Sequence, residues 1–142
     1  MKRYKCGYTQ GVFDMFHIGH LNLINQAKMH CDTLIVGVNA DALVENYKKK
    51  TPVIPEQNRC KIVENIKAVD RAVIADTLDK VEMYRRLGFD VVFIGDDWKN
   101  DSRWIETERE LAVCGVDVVY LPYTQDISST LLRDVEQNKV DG

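Results

Sequence analysis

Two histidines three residues apart, His17 and His20, close the segment GVFDMFHIGH (residues 11–20), with Gly19 between them. An N-terminal β-strand is expected just before this segment (residues 4–10), and a helix is expected over residues 21–29. Two imidazoles, a tight turn and the positive end of a helix dipole thus meet at one point, which suits an oxyanion-rich group, most naturally a polyphosphate. Gly19 lets the backbone approach a ligand closely, and a strand-to-helix junction supplies free N–H groups. Zinc ligation and two histidines satisfied inside a core are the competing readings. The third histidine, His30, lies ten residues further on and no H-E-x-x-H pattern is present, so zinc is the weaker fit.

The elements that must position these groups read from the spacing of apolar residues. Strands are predicted at residues 5–9, 33–38, 71–75, 91–95 and 116–121, each a short β-branched run without polar alternation. Such runs suit strands buried on both faces of a parallel sheet. Amphipathic helices are predicted at 19–30, 56–69, 78–87, 102–114 and 128–137, while 42–57, with its lysines, Pro52 and Pro55, reads as a long mobile connection. A βαβ series with right-handed crossovers gives a doubly wound α/β/α sandwich that binds ligands beyond the carboxyl ends of its strands. GVFDMFHIGH, GDDW (95–98) and YTQDISST (123–130) each follow a predicted strand and converge on that edge.

Composition narrows the class. The chain has 142 residues, 45% apolar and 29% charged, with a formal charge of −3, so one domain spanning residues 1–142 with its own core is expected. No dominant basic face argues for nucleic acid, no apolar stretch reaches the ~20 residues of a membrane span, and the start lacks a signal peptide's apolar core. A cytoplasmic location is expected. Cys6, Cys31, Cys60 and Cys114 are scattered and read as small apolar residues.

GVFDMFHIGH resembles the G-x-F-D-x-x-H-x-G-H signature of the nucleotidylyltransferase superfamily. GDDW and YTQDISST resemble motifs of its cytidylyltransferase branch, and the length and element order look closest to the bacterial glycerol-3-phosphate cytidylyltransferases. The likeness runs from about Tyr8 to Arg133. It implies a Rossmann-like fold and transfer of CMP from CTP to a small phosphorylated alcohol, with glycerol 3-phosphate as first candidate, release of pyrophosphate, and Mg²⁺ as counter-charge. It also implies a homodimer, with residues 66–74 as candidate interface. An acceptor such as ethanolamine, choline or a polyol phosphate, an ATP-dependent adenylyltransferase, and a catalytically inactive nucleotide-binding sensor are the alternatives.

The resemblance also assigns residues. His17 and His20 would stabilise the pentacoordinate α-phosphorus and the leaving pyrophosphate; Lys48 would reach the phosphates, and Arg59 would hold the acceptor's phosphate. Thr9, Gly11, Val12, Phe13, Gly19, Gly95, Asp97, Thr124, Ile127, Ser128, Ser129 and Thr130 would bind the nucleotide. Asp14, Lys50 and Lys67 are assigned to the substrate, although Asp14 could equally orient the turn or contact metal; no protein metal site is expected. Trp98 is expected to pack beside the site. Tyr123 and Asp126 replace the arginine and glycine of the usual tail motif, which removes one cation and adds one carboxylate.

Overall fold

The β-branched runs become five parallel strands in the computed structural model, which describes residues 3–122. In chain order the elements are β1 (Tyr4–Gly11), α1 (Ile18–Met29), β2 (Cys31–Asn39), α2 (Asp41–Lys48), α3 (Glu56–Glu64), β3 (Arg71–Ala75), α4 (Lys80–Leu87), β4 (Val91–Gly95), α5 (Ser102–Val113) and β5 (Asp117–Leu121). A single 3-10 turn, Asp96–Trp98, separates β4 from α5. The strand order is β3-β2-β1-β4-β5. The chain therefore winds outward from β1 in one direction, then returns and winds outward in the other. The point of reversal, between β1 and β4, is where an open α/β sheet leaves a crevice.

Both faces of the sheet are covered, which explains why its strands are apolar throughout. On one face Ile24 and Ala27 of α1 and Val63 of α3 pack with Leu34, Val36, Val38, Val91 and Phe93. On the other, Met83 of α4 and Leu111 of α5 pack with Tyr8, Ile35, Phe89 and Val92. Tyr8 is stacked on Phe89 with ring centroids 4.6 Å apart. Its hydroxyl lies so close to Gly37 that any Cβ there would collide with it. That hydroxyl donates to Gln10 Oε1 at 2.6 Å, giving a buried phenol the partner it needs.

Three helix boundaries differ from the expectation. Residues 41–48 form α2 instead of a loop. The helix buries Val44 and ends at Lys49, which takes a left-handed conformation at φ 59°. α3 stops at Glu64, five residues short of the expected end, because Ile66 N–H donates to Val63 O and Val69 N–H to Ile66 O, tightening the chain into turns. α4 starts at Lys80 because the Asp79 carboxylate caps it, accepting from Val81 N–H and Glu82 N–H. Among the described residues no helix is long and apolar enough to cross a membrane. The predicted helix over 128–137 lies outside the described residues.

Candidate active site

His17 and His20 build the start of α1 themselves. His17 is the N-cap, its Nδ1 accepting from Gly19 N–H at 3.0 Å, while His20 Nδ1 accepts from His17 N–H at 3.3 Å. The rings stack with centroids 3.8 Å apart and planes 24° from parallel. Because both Nδ1 atoms accept, the proton of each neutral imidazole resides on Nε2. His17 Nε2 is buried and meets no hydrogen-bond partner among the described residues. Burial lowers the His17 pKa; for His20 burial and then the neighbouring His17 lower it to about 4, against a small opposing effect of Asp14. The pair therefore meets its ligand at neutral pH as two N–H donors without charge.

The histidines open onto a cleft of about 460 Å³ at the carboxyl ends of β1 and β4. It spans both faces of the sheet: Leu23 of α1 lines one side, and Trp104 and Thr107 of α5 line the other. Of the residues assigned from the sequence, Thr9, Gly11, Val12, His17, Gly19, His20, Lys48, Gly95 and Asp97 line it together. Trp98 lines it as well and is 38% exposed. Desolvation raises the Asp97 carboxyl pKa. The charged side chains of the lining are Lys48, Lys80 and Arg103 against Asp97. A chain of net negative charge thus presents a positive cleft, which concentrates anions there.

Arg59 has a different place from the one expected. Its side chain is fully buried, and its guanidinium donates to the carbonyls of Ile54 (2.7 Å), Val12 (2.7 Å) and Asn39 (2.8 Å) and to Asp41 Oδ1 (2.6 Å). Arg59 does not line the cleft, and four of its five N–H donors are taken by acceptors from three different segments. Asp14 is likewise inward: its carboxylate accepts from Val53 N–H at 2.8 Å and Ile54 N–H at 2.9 Å. Phe13 is buried on the core side of the same turn. Phe13 and Met15, at φ 54° and 49°, bend the chain into α1. Arg59 and Asp14 thus pin the histidine turn to the segment that follows α2. Lys50 and Lys67 are exposed and do not line the cleft. Thr124, Ile127, Ser128, Ser129 and Thr130 lie outside the described residues.

The structure adds residues that motif reading passed over. Gln10 Nε2 donates to Asn39 Oδ1 (2.8 Å) and Thr77 O (2.9 Å), and Asn39 Nδ2 donates to Tyr47 Oη (3.1 Å). This chain crosses the floor of the cleft and ends beside Lys48. Lys80 is 8% exposed, donates to Leu78 O at 2.8 Å and lies 5.5 Å from the Trp104 ring centroid. Burial lowers its pKa to about 8, partly offset by Asp79. One signal in the sequence pointed to it. Lys80, Met83, Tyr84 and Leu87 fall at i, i+3, i+4 and i+7, so a lysine occupies the apolar stripe of α4.

A parallel sheet with a cleft at its switch point, lined there by two imidazoles at a helix N-terminus, is a Rossmann-like arrangement, and the family match places it in the nucleotidyltransferase class. Residues 8–135 match the family model described as cytidylyltransferase-like, and the chain belongs to that family. It is 34% identical over 129 residues to the bifunctional protein HldE of Hyphomonas neptunium, covering 90% of this chain and 26% of that protein. It is 36% identical over 123 residues to an FAD synthase of Korarchaeum cryptofilum, covering 84% of this chain and 83% of that one. The chain spans about a quarter of the length of the HldE relatives it matches. A solved lipopolysaccharide core biosynthesis protein from Thermoplasma volcanium superposes with a TM-score of 0.72 at 26% identity, covering 85% of this chain and 97% of that one.

Proposed function

We propose that this domain transfers CMP from CTP to the phosphate of a small phosphorylated alcohol, with glycerol 3-phosphate as the first acceptor to test. An acceptor phosphate oxygen attacks the α-phosphorus, the new P–O bond forms as the bond to the β-phosphate bridging oxygen breaks, and pyrophosphate leaves. The observation that carries this reading is one cleft lined by hydrogen-bond donors from two helices, the His17–His20 pair at α1 and Lys80 at α4. Transfer between phosphates needs positioning and charge stabilisation rather than a protein nucleophile. Neutral N–H donors and nearby backbone amides supply that at the α-phosphate, and Lys48, at the end of α2, supplies a positive charge from a flexible stem.

A divalent ion fits this scheme as part of the substrate. Among the described residues no group of three His, Cys, Asp or Glu side chains could hold a metal, and Asp97 is the carboxylate in the described lining of the cleft. We therefore propose that the nucleotide enters as its Mg²⁺ complex, since Mg²⁺ is commonly held by phosphates with few protein ligands.

Two features favour CTP: GDDW at the end of β4 and the family description of residues 8–135. The FAD synthase relative favours ATP as the second reading, because its named product is an adenine dinucleotide. Pyrophosphate release measured with CTP or ATP, Mg²⁺ and a panel of phosphorylated alcohols separates the two. The expected result is turnover with CTP at least tenfold above ATP. Equal or greater turnover with ATP overturns the nucleotide assignment. Binding of CTP without its release of pyrophosphate in the presence of any ester overturns the transfer reading in favour of a nucleotide sensor.

We also propose a homodimer formed along β3. This strand is at the sheet edge, and Ile74 on it and Ile62 on the adjoining α3 are 39% and 44% exposed. Sedimentation velocity is expected to give a dimer that Ile74→Lys converts to monomer; a monomeric native chain removes the idea.

A further inference from the structure

The cleft offers two indole faces, and cations of the chain already cover both. Lys80 Nζ is 5.5 Å from the centroid of Trp104, and Arg103 Cζ is 5.3 Å from that of Trp98. All four residues line the same wall. Open aromatic faces are what recognise a quaternary or primary ammonium head group. Here a ligand ammonium meets resident ammonium and guanidinium groups at those faces instead. Lys80 has no freedom to turn away, because it is buried and its ammonium is fixed on Leu78 O. Arg103 is at the start of α5 and largely exposed, and Asp101 accepts from its Nε and Nη2, each at 3.3 Å, which pairs its charge and holds it near Trp98. The carboxylate of the described lining, Asp97, follows β4 and is outnumbered by Lys48, Lys80 and Arg103.

We infer that Lys80, Trp104 and Arg103 make this wall select against cationic head groups, so that the acceptor is a hydroxyl-bearing phosphate ester such as a polyol or sugar phosphate, and not an amino-alcohol phosphate. In a short amino-alcohol ester only a few bonds separate phosphate from ammonium. Seating that phosphate at Lys80 therefore brings its own cation against Arg103 or back onto Lys80. The repulsion comes chiefly from the buried Lys80 and is weaker from Arg103, whose charge is exposed and paired with Asp101. A polyol ester carries no such cation, and its hydroxyls can meet Thr107 and Gln10, which also line the cleft.

The inference rests on the transfer reading, and the test separates the two. Calorimetric titration of the CTP-loaded full chain would use glycerol 3-phosphate, ethanolamine phosphate and choline phosphate as probes, with native protein, Arg103→Gln and Lys80→Met. The expected result is glycerol 3-phosphate binding at least tenfold more tightly than either amino-alcohol ester. Arg103→Gln is expected to shrink that ratio at least threefold, and Lys80→Met to weaken glycerol 3-phosphate at least tenfold. Choline or ethanolamine phosphate binding as tightly as glycerol 3-phosphate overturns the selectivity and leaves the transfer reading standing. A ratio unmoved in both variants also overturns it. If CTP binds and none of the three esters does, the transfer reading falls and the selectivity with it.

Discussion

Replacing His17 or His20 by alanine is expected to lower kcat by ~10²–10³-fold while leaving the affinity for nucleotide within a few fold. In the proposed mechanism each ring contributes a donor to charge that develops in the transition state, and loss of one preorganised donor of that kind is worth about 2.7–4 kcal/mol. The double variant is expected to fall far short of the product of the singles, because His17 and His20 are stacked and share the cap of α1. His17→Asn retains a capping side chain and serves as the control for the helix start. Single-turnover kinetics check all four variants; a single alanine variant within fivefold of native kcat removes the histidines from the mechanism.

The pH profile provides an independent check of the same assignment. Burial places both imidazole pKa values below the ordinary value, and His20, at about 4, stays neutral as pH falls from 7 toward 5. For Lys80 the sign is opposite in effect: its charge is lost as pH rises through about 8. The acceptor's kcat/KM is therefore expected to rise as the acceptor phosphate becomes a dianion at about pH 6, to level off by about pH 7.5, and to decline above about 8 as Lys80 loses its charge. At saturating acceptor the decline moves to higher pH, because a bound phosphate favours the charged ammonium. Lys80→Met is expected to abolish the alkaline limb.

Arg59→Met is expected to destabilise the fold by about 3–5 kcal/mol, the usual cost of removing one partner from a buried, hydrogen-bonded ion pair. The guanidinium holds Asp41 and three carbonyls, and methionine leaves all four without it. Arg59→Lys keeps the charge and loses the fork, so an intermediate loss is expected. Urea unfolding midpoints measure both. If Arg59 were instead a ligand for the acceptor's phosphate, the midpoint would stay unchanged and only the acceptor KM would rise. That outcome would overturn the structural role.

The difference between the two readings of Arg59 shows what a sequence carries. His17, Gly19 and His20 were legible because their partners are local and their spacing encodes the geometry. Three of Arg59's four acceptors are backbone carbonyls, which leave no mark on residue type, so a buried clamp and a phosphate ligand look alike in one dimension. The five strands were legible because burial on both faces leaves only apolar residues, as in β2 from Leu34 to Val38. α2 was not: eight residues are too few to show a period, its start at Ala40 has no side-chain cap, and lysines and prolines follow it. The wall of Lys80, Trp98 and Trp104 joins α4 to the chain after β4. Only the packing of α4 on α5 brings these residues together.

The left-handed residues in the turn before α1 have a consequence for how the site opens. Neither Phe13 nor Met15 favours positive φ, so the turn does not keep its shape by local preference. It takes that shape from bonds to residues about 40 positions onward: Asp14 to the amides of Val53 and Ile54, and Val12 O to Arg59. Loops that handle ligands ordinarily exchange their amide hydrogens through small, independent openings. Here the amides of Val53 and Ile54 are tied to Asp14 of the histidine turn, so their hydrogen exchange is expected to be slow and to report release of that turn. None of these three bonds reaches the far end of α2, where the helix breaks at Lys49 beside Lys48.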